Sequence, residues 1–247
     1  MEEYENMAFK CFCLKGKFPK VQSTECWIFD PVGKDHFFWD LIVKSQPQLV
    51  KLKVIVYRGT LRTVPSHFLQ NMPYLKNFTI SFGTLLDVER HVFSNSSSLE
   101  VLNLKKNKIE SLNYNSISNL ASLKLINLEE NELMRIKYGW FYNLPSLKTV
   151  KLNKNNITKI DDKAFTNMGS VIEMDLSENY VCDINELTFF GLSKLRRLDL
   201  SYNKILSLTS RIFSELWDIE GSKTKPNQAK LKSSFQIEHN FNSSYSN

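Results

Sequence analysis

A hydrophobic pattern recurs every 24 residues along this 247-residue chain, and a fixed period of that length dictates architecture before any local preference does. Aligned on Leu99-Glu-Val-Leu102-Asn-Leu104-Lys-Lys-Asn107-Lys-Ile109, further units begin at Leu123, Leu147, Val171 and Leu195, and backward projection adds Leu75 and Lys51. The fourth column then reads Val54, Phe78, Leu102, Ile126, Val150, Met174, Leu198, and the sixth Val56, Ile80, Leu104, Leu128, Leu152, Leu176, Leu200. Columns eleven and fourteen are equally apolar, and column nineteen carries Leu69, Phe93, Ile117, Phe141, Phe165, Phe189 and Phe213. Apolar residues two apart describe a half-buried strand in each unit, and the large residue at nineteen returns to the same core from the other side. A single such coil buries too little to offset its own ordering. Stacked coils share two apolar faces each and form one elongated core.

The ninth column reads Gly59, Gly83, Asn107, Asn131, Asn155, Asn179, Asn203. An amide donates and accepts, so a column of asparagines at the turn predicts a structural ladder serving backbone groups that the turn leaves unpaired. This Leu-x-x-Leu-x-Leu-x-x-Asn-x-Leu pattern resembles the leucine-rich-repeat family, in its extracellular 24-residue class, as in Toll-like receptor ectodomains and secreted immune proteins. The resemblance implies a right-handed, curved α/β-type solenoid, with a parallel sheet on the concave face and loops or short 3₁₀ and helical turns on the convex face. Three segments are expected: an N-terminal cap over 1–48, seven repeats over 49–218, and a polar, disordered tail over 219–247. An apolar edge after Phe213 and Leu216 predicts cover by the tail, association into a homo- or heterodimer, or a chain cut short of its natural end.

Extracellular members of the family carry caps with a Cys-x-Cys…Cys pattern, which Cys11, Cys13 and Cys26 match. The resemblance implies a Cys13–Cys26 disulfide and leaves Cys11 over. A zinc site is disfavoured, because Cys-x-Cys is not the usual ligand spacing and His36 stands alone beside it. Cys182, between Val181 and Ile184, reads as a small buried apolar side chain. Four sequons, at Asn77, Asn95, Asn156 and Asn242, are candidate N-glycosylation sites and favour an extracellular or cell-surface location. The acidic start, Met1-Glu2-Glu3-Tyr4-Glu5-Asn6, lacks the basic and apolar stretches of a secretory signal. That keeps a cytoplasmic adaptor or regulatory scaffold as the alternative. No run of about 18 apolar residues spans a membrane.

In this architecture the polar strand positions face outward and form a readable surface. Column five reads Ile55, Thr79, Asn103, Asn127, Lys151, Asp175, Asp199. Columns seven and eight read Tyr57-Arg58, Ser81-Phe82, Lys105-Lys106, Glu129-Glu130, Asn153-Lys154, Ser177-Glu178, Ser201-Tyr202, so charge alternates along the axis. Two readings stand side by side: a self-neutralised face, with Lys106 against Glu130 or Lys151 against Asp175, and a binding strip anchored by Tyr57, Phe82 and Tyr202 with Arg197 at its end. The expected partner is a protein, with a glycan or microbial ligand as variants.

Catalysis is disfavoured. Asp175 and Asp199 are the best carboxylate pair, but such a pair needs a pocket that desolvates one acid, and Lys151 and Arg197 lie beside them. The four histidines fall at unrelated places and no phosphate-binding glycine loop occurs, so no cofactor is expected. The net charge of +6 and pI near 9.0 arise from dispersed lysines without the focused stripe of a nucleic-acid site.

Overall fold

The computed structural model describes residues 8–15, 21–206 and 212. Its spine is a nine-stranded sheet built from Phe9–Lys15, Ser23–Ile28, Lys51–Val56, Asn77–Ser81, Val101–Asn103, Leu125–Asn127, Thr149–Lys151, Glu173–Asp175 and Arg197–Asp199, in that order. Every neighbouring pair is parallel except the first two strands, which run antiparallel. The chain is therefore a parallel-sheet solenoid of about seven turns preceded by a cap. Fourth-column residues stand side by side, Leu102 beside Ile126, Ile126 beside Val150 and Met174 beside Leu198. The sixth column, Leu104, Leu128, Leu152 and Leu176, is wholly buried.

The first coil departs from the expected frame. Leu52 and Val54 pair with Phe78 and Ile80, so they fill columns four and six, where Val54 and Val56 were expected. The buried Leu49 opens this coil, its N–H bonded to the Gln46 carbonyl as that of Leu75 is to Met72. From Leu49 to Leu75 is 26 residues rather than 24. Alternation hides such a slip: a shift of two keeps Leu52, Val54 and Val56 all facing the core.

The cap is a coil in its own right. Buried Val21, Thr24 and Cys26 take columns one, four and six, and the Ser23–Ile28 strand pairs in parallel with Lys51–Val56. The return of this coil is a helix, Phe37–Ser45, started by His36, whose Nδ1 accepts the Phe38 N–H at 3.1 Å, and facing Phe38, Trp39 and Ile42 inward. A chain of aromatic contacts runs from the cap into the repeats, Phe9–Phe38 at 4.8 Å, Phe38–Trp39 at 4.9 Å, Trp39–Phe68 at 4.9 Å and Phe68–Phe78 at 5.3 Å. Gly59 passes so close to this coil that a Cβ would stand 2.3 Å from the Asp30 carbonyl oxygen.

The cap bond joins Cys11 to Cys26, which corrects the expected Cys13–Cys26 pairing. Antiparallel register decides it: Cys11 lies directly opposite Cys26, whereas Cys13 faces Thr24 and remains a free, exposed thiol. Cys182 is also exposed, against expectation, because column eleven turns inward with Val181 and the next residue must turn out.

The return side contains few of the expected helical turns. Among the described residues it holds the helix, one 3₁₀ turn at Leu69–Asn71, and otherwise two-residue parallel strands. Phe93–Ser94, Ile117–Ser118 and Phe141–Tyr142 form one small sheet, and Asp87–Val88 pairs with Ser111–Leu112 and Arg135–Ile136 with Lys159–Ile160. Wholly buried Ser94 and Ser118 let these coils approach at strand spacing. Immediately after them, Asn95, Asn119 and Asn143 take φ of 56°, 54° and 50°, the left-handed region that asparagine tolerates. Their amides form a second, exposed ladder: Asn143 Nδ2 donates to Asn119 Oδ1 at 2.9 Å and Asn119 Nδ2 to Asn95 Oδ1 at 3.0 Å. The expected tail, with Phe213 and Leu216, lies outside the described residues.

The buried ladder is the tighter one. Asn155 Nδ2 donates to the Leu128 carbonyl of the preceding coil and to Leu152 of its own, each at 3.0 Å, while its Oδ1 accepts the Leu133 N–H at 3.1 Å. Asn131, Asn179 and Asn203 repeat the arrangement, and Asn107 ends it by accepting the Gly83 N–H at 2.9 Å. Replacing Asn155 by Ala strands these groups in the core and should lower urea stability by about 3 kcal/mol, near 1 kcal/mol per lost bond. A loss under 0.5 kcal/mol (roughly the effect of an ordinary surface substitution) would show that the ladder contributes little. The disulfide closes a separation of 15 residues, so Cys11→Ser should cost about 3 kcal/mol. Cys13→Ser should leave the same urea midpoint unchanged.

Candidate partner-binding face

The outer face of the long sheet is shaped by two backbone devices at the end of each strand. Column eight is left-handed in six successive coils: Phe82, Lys106, Glu130, Lys154, Glu178 and Tyr202 have φ of 63°, 62°, 53°, 56°, 53° and 55°. That conformation costs an ordinary side chain roughly 1–2 kcal/mol, and the buried amide at column nine stabilises the turn that imposes it. As a result, one side chain per coil is thrust away from the sheet in a regular row.

Column five supplies the second device. Asn103 Oδ1 accepts the Lys105 N–H at 3.1 Å and Asn127 Oδ1 the Glu129 N–H at 2.9 Å. Asp175 Oδ1 accepts both the N–H and the hydroxyl of Ser177, and Asp199 Oδ1 does the same with Ser201. These are turns closed by a side chain onto the backbone two residues on. They give the two aspartates a local structural task, in the open sheet, where neither is enclosed as a catalytic acid would be. Lys151, in the same column, makes no such bond.

Charges on this face answer one another across adjacent coils. Lys105 bridges Glu129 and Glu130 at 2.9 Å each, Lys106 meets Glu130 at 3.0 Å, and Arg197 meets Glu173 at 2.9 Å. Hydrogen bonds from Lys105 and then Lys106 lower the Glu130 carboxyl below its ordinary range, and the Glu173 contact raises Arg197. The anticipated pairing of Lys106 with Glu130 is present. Asp175 is instead occupied by Ser177. The central part of the face is thus largely neutral.

The aromatic anchors do not form one strip. Tyr57, Phe82 and Tyr202 are each 57% exposed, but Tyr202 belongs to the seventh coil and the other two to the first and second. Tyr57 and Phe82 meet Trp27 and Ile55 around a groove of about 700 Å³, within the range of ligand sites. Trp27 and Ile55 are register partners on neighbouring strands and make its floor. The Trp27 and Tyr57 rings lie 5.7 Å apart, and Lys106 Nζ stands 5.9 Å from the Phe82 centroid. Gly83 also borders the groove; a Cβ there would point inward, within 2.8 Å of Asn107 Oδ1, so glycine makes room for the amide that accepts its N–H. Lys108 and Glu132, opposite in charge and without ion pairs among the described residues, close the far rim with Lys106 and Glu130. Sequence reasoning placed Ile55 in the outward column five without marking it as part of a site, and missed Trp27, whose strand precedes the 24-residue frame.

The sequons fall differently. Asn95 and Asn156 are exposed, Asn77 is half-buried within the strand Asn77–Ser81, and Asn242 lies outside the described residues. Among the described residues, no helix is long and apolar enough to cross a membrane and no cluster of His, Cys, Asp or Glu is fit for a metal ion.

A family model described as leucine rich repeat matches residues 73–133, 123–181, 145–205 and 172–216, together more than half of the chain. No curated protein sequence matches it significantly. Among solved structures, a chain of the TLR13–ssRNA13 complex is similar with a TM-score of 0.61 and 20% identity, over 72% of this chain and 28% of that one. A chain of the Toll–Spatzle complex, a molecular hub in Drosophila development and innate immunity, is similar with a TM-score of 0.54 and 15% identity, over 76% of this chain and 30% of that one. The chain spans less than a third of the length of either.

One electrostatic feature of the face is measurable directly. Glu100 sits between Lys124, at 2.6 Å, and Lys76, at 3.0 Å, and these hydrogen bonds lower its carboxyl from 4.5 to about 2. Its contribution to stability is therefore complete above pH 4.5 and disappears as pH falls toward 2. Carboxyl-carbon NMR should give a midpoint near 2, and Lys124→Met should move it upward. A midpoint unmoved by that substitution would contradict the pairing.

Proposed function

Because this chain belongs to the leucine-rich-repeat family, we propose that it is a non-catalytic recognition module that binds a protein partner through the outer face of its long sheet, with Trp27, Tyr57 and Phe82 as anchors. The observation that carries this reading is the groove: exposed aromatic rings gathered over a rigid strand floor are the kind of feature that dominates interface energetics. The rim supports a protein over a nucleic acid, since Glu130 and Glu132 would repel a phosphate backbone while opposite charges side by side suit a polypeptide surface. Glycan-bearing and microbial proteins remain within this class of partner.

The two similar structures are complexes, one with ssRNA13 and one with Spatzle, which supports a recognition role of the general kind. A cap disulfide favours an oxidising compartment, and hence a secreted or cell-surface setting over an intracellular scaffold. Exposed Asn95 and Asn156 can carry glycans without covering the groove. An immune or adhesive role follows by analogy with the family resemblance.

Photo-crosslinking tests the face. Benzoylphenylalanine placed at Tyr57 or Phe82 should trap one partner protein saturably, and the same probe at Tyr138, on the return side, should trap none. Phe82→Glu should weaken that partner's binding roughly thirtyfold, the effect of losing about 2 kcal/mol at one anchor. Equal trapping at all three positions, or a saturable adduct only at Tyr138, would sink the proposal.

A further inference from the structure

We propose that the outer edge of the strand Phe9–Lys15 pairs antiparallel with the same strand of a second copy of this chain, joining two nine-stranded sheets through their caps. Among the described residues this strand ends the sheet, and none bonds to its outer side. Its Cys11 lies opposite Cys26 with the Cα atoms 4.0 Å apart, the close spacing of a pair that does not exchange backbone hydrogen bonds. The N–H and C=O of Cys11 therefore point outward, and with a period of two so do those of Phe9 and Cys13. The Ala8 carbonyl, out of phase with them, bonds inward to Phe29.

An exposed strand edge is a template for another strand. Native edges are commonly blunted by proline, lysine or a bulge. Here there is no proline, and a bulge intervenes only beyond Cys13. Lys10 is present, but its Nζ sits 5.3 Å from the centroid of its own Phe12 ring, drawn over the sheet face. Phe12 and Leu14 are 42% and 61% exposed, apolar surface that a second strand would cover.

The segment Phe9-Lys10-Cys11-Phe12-Cys13 favours its own copy as occupant. With Cys11 on the two-fold axis, each Lys10 opposes Phe12 of the other copy and each Phe9 opposes Cys13. With Phe12 on the axis, Lys10 opposes Leu14 and Lys15 opposes Phe9. Neither register sets lysine against lysine, the arrangement that would destabilise a cross-strand pair. An isologous two-fold contact of this kind closes on itself, which limits association to a dimer.

Sedimentation of the full chain over roughly a hundredfold range of concentration should reveal a monomer–dimer equilibrium. Amides of Cys11 and Cys13 should exchange at least about tenfold more slowly at the dimer end of that range. Phe12→Lys, which places like charges opposite one another in either register, should leave a folded monomer. Phe82→Glu should leave dimerisation intact, so that failure at the edge and failure at the groove are told apart. A monomer at every concentration, a dimer whose Cys11 and Cys13 amides exchange freely, a dimer indifferent to Phe12→Lys, or protection given only by a different protein would each overturn the inference.

Discussion

A coil of 24 residues cannot satisfy its own backbone, and this constraint organises the whole molecule. Each three-residue strand bonds to the coil before and the coil after, and each turn leaves carbonyls that no strand reaches. The column of buried asparagines resolves this by donating to the coil before and to its own coil while accepting an N–H. Because every amide is shared between coils, no coil is folded until its neighbour is in place, as one-dimensional repeat proteins require. The apolar columns then supply the driving force, and the amides set the register that keeps those columns aligned.

The same turn determines what the outer face looks like. Column eight is held left-handed and column five is spent on closing the strand, so only some positions are free to vary without disturbing the backbone. In the middle coils column eight itself carries lysine and glutamate in alternate turns, and strand spacing brings Lys106 to Glu130 and Lys154 to Glu178. Surface ion pairs of this type contribute little to stability. Their larger effect is to remove net charge from a broad part of the sheet, which confines strong attraction to places where the alternation stops.

Much of this was readable from the residues, and the misreadings have physical causes. Leu104, Leu128, Leu152 and Leu176 were assignable to one buried column because a strict period leaves no alternative face for them. The frame of the first coil was not, since Leu52, Val54 and Val56 satisfy the alternation in either of two registers two residues apart. Cys11 and Cys13 share a strand face, so composition cannot choose between them; only the antiparallel register against Cys26 does. The second asparagine ladder had a visible signal, Asn71, Asn95, Asn119, Asn143 and Asn167 in column twenty-one, which the inward columns overshadowed. The local task of Asp175 and Asp199 had a signal too, in the serine that follows each two residues later.

The groove forms where the period breaks. Coils of exactly repeated length place equivalent residues side by side, and equivalent residues on this face neutralise one another. The cap coil spans 28 residues from Val21 to Leu49 and the first coil 26, so their strands run longer than those that follow. That added length places Trp27 beside Ile55 and carries Tyr57 past the end of its strand toward Phe82. Glycine replaces the ladder asparagine at Gly83 in the same region, so the buried ladder ends there with Asn107 accepting the Gly83 N–H. Irregular length, aromatic residues and the missing side chain thus coincide at the N-terminal end of the sheet. A self-neutralised array gains a distinct surface only by interrupting its own repetition, and here the interruption is built from strands rigid enough to hold the rings apart.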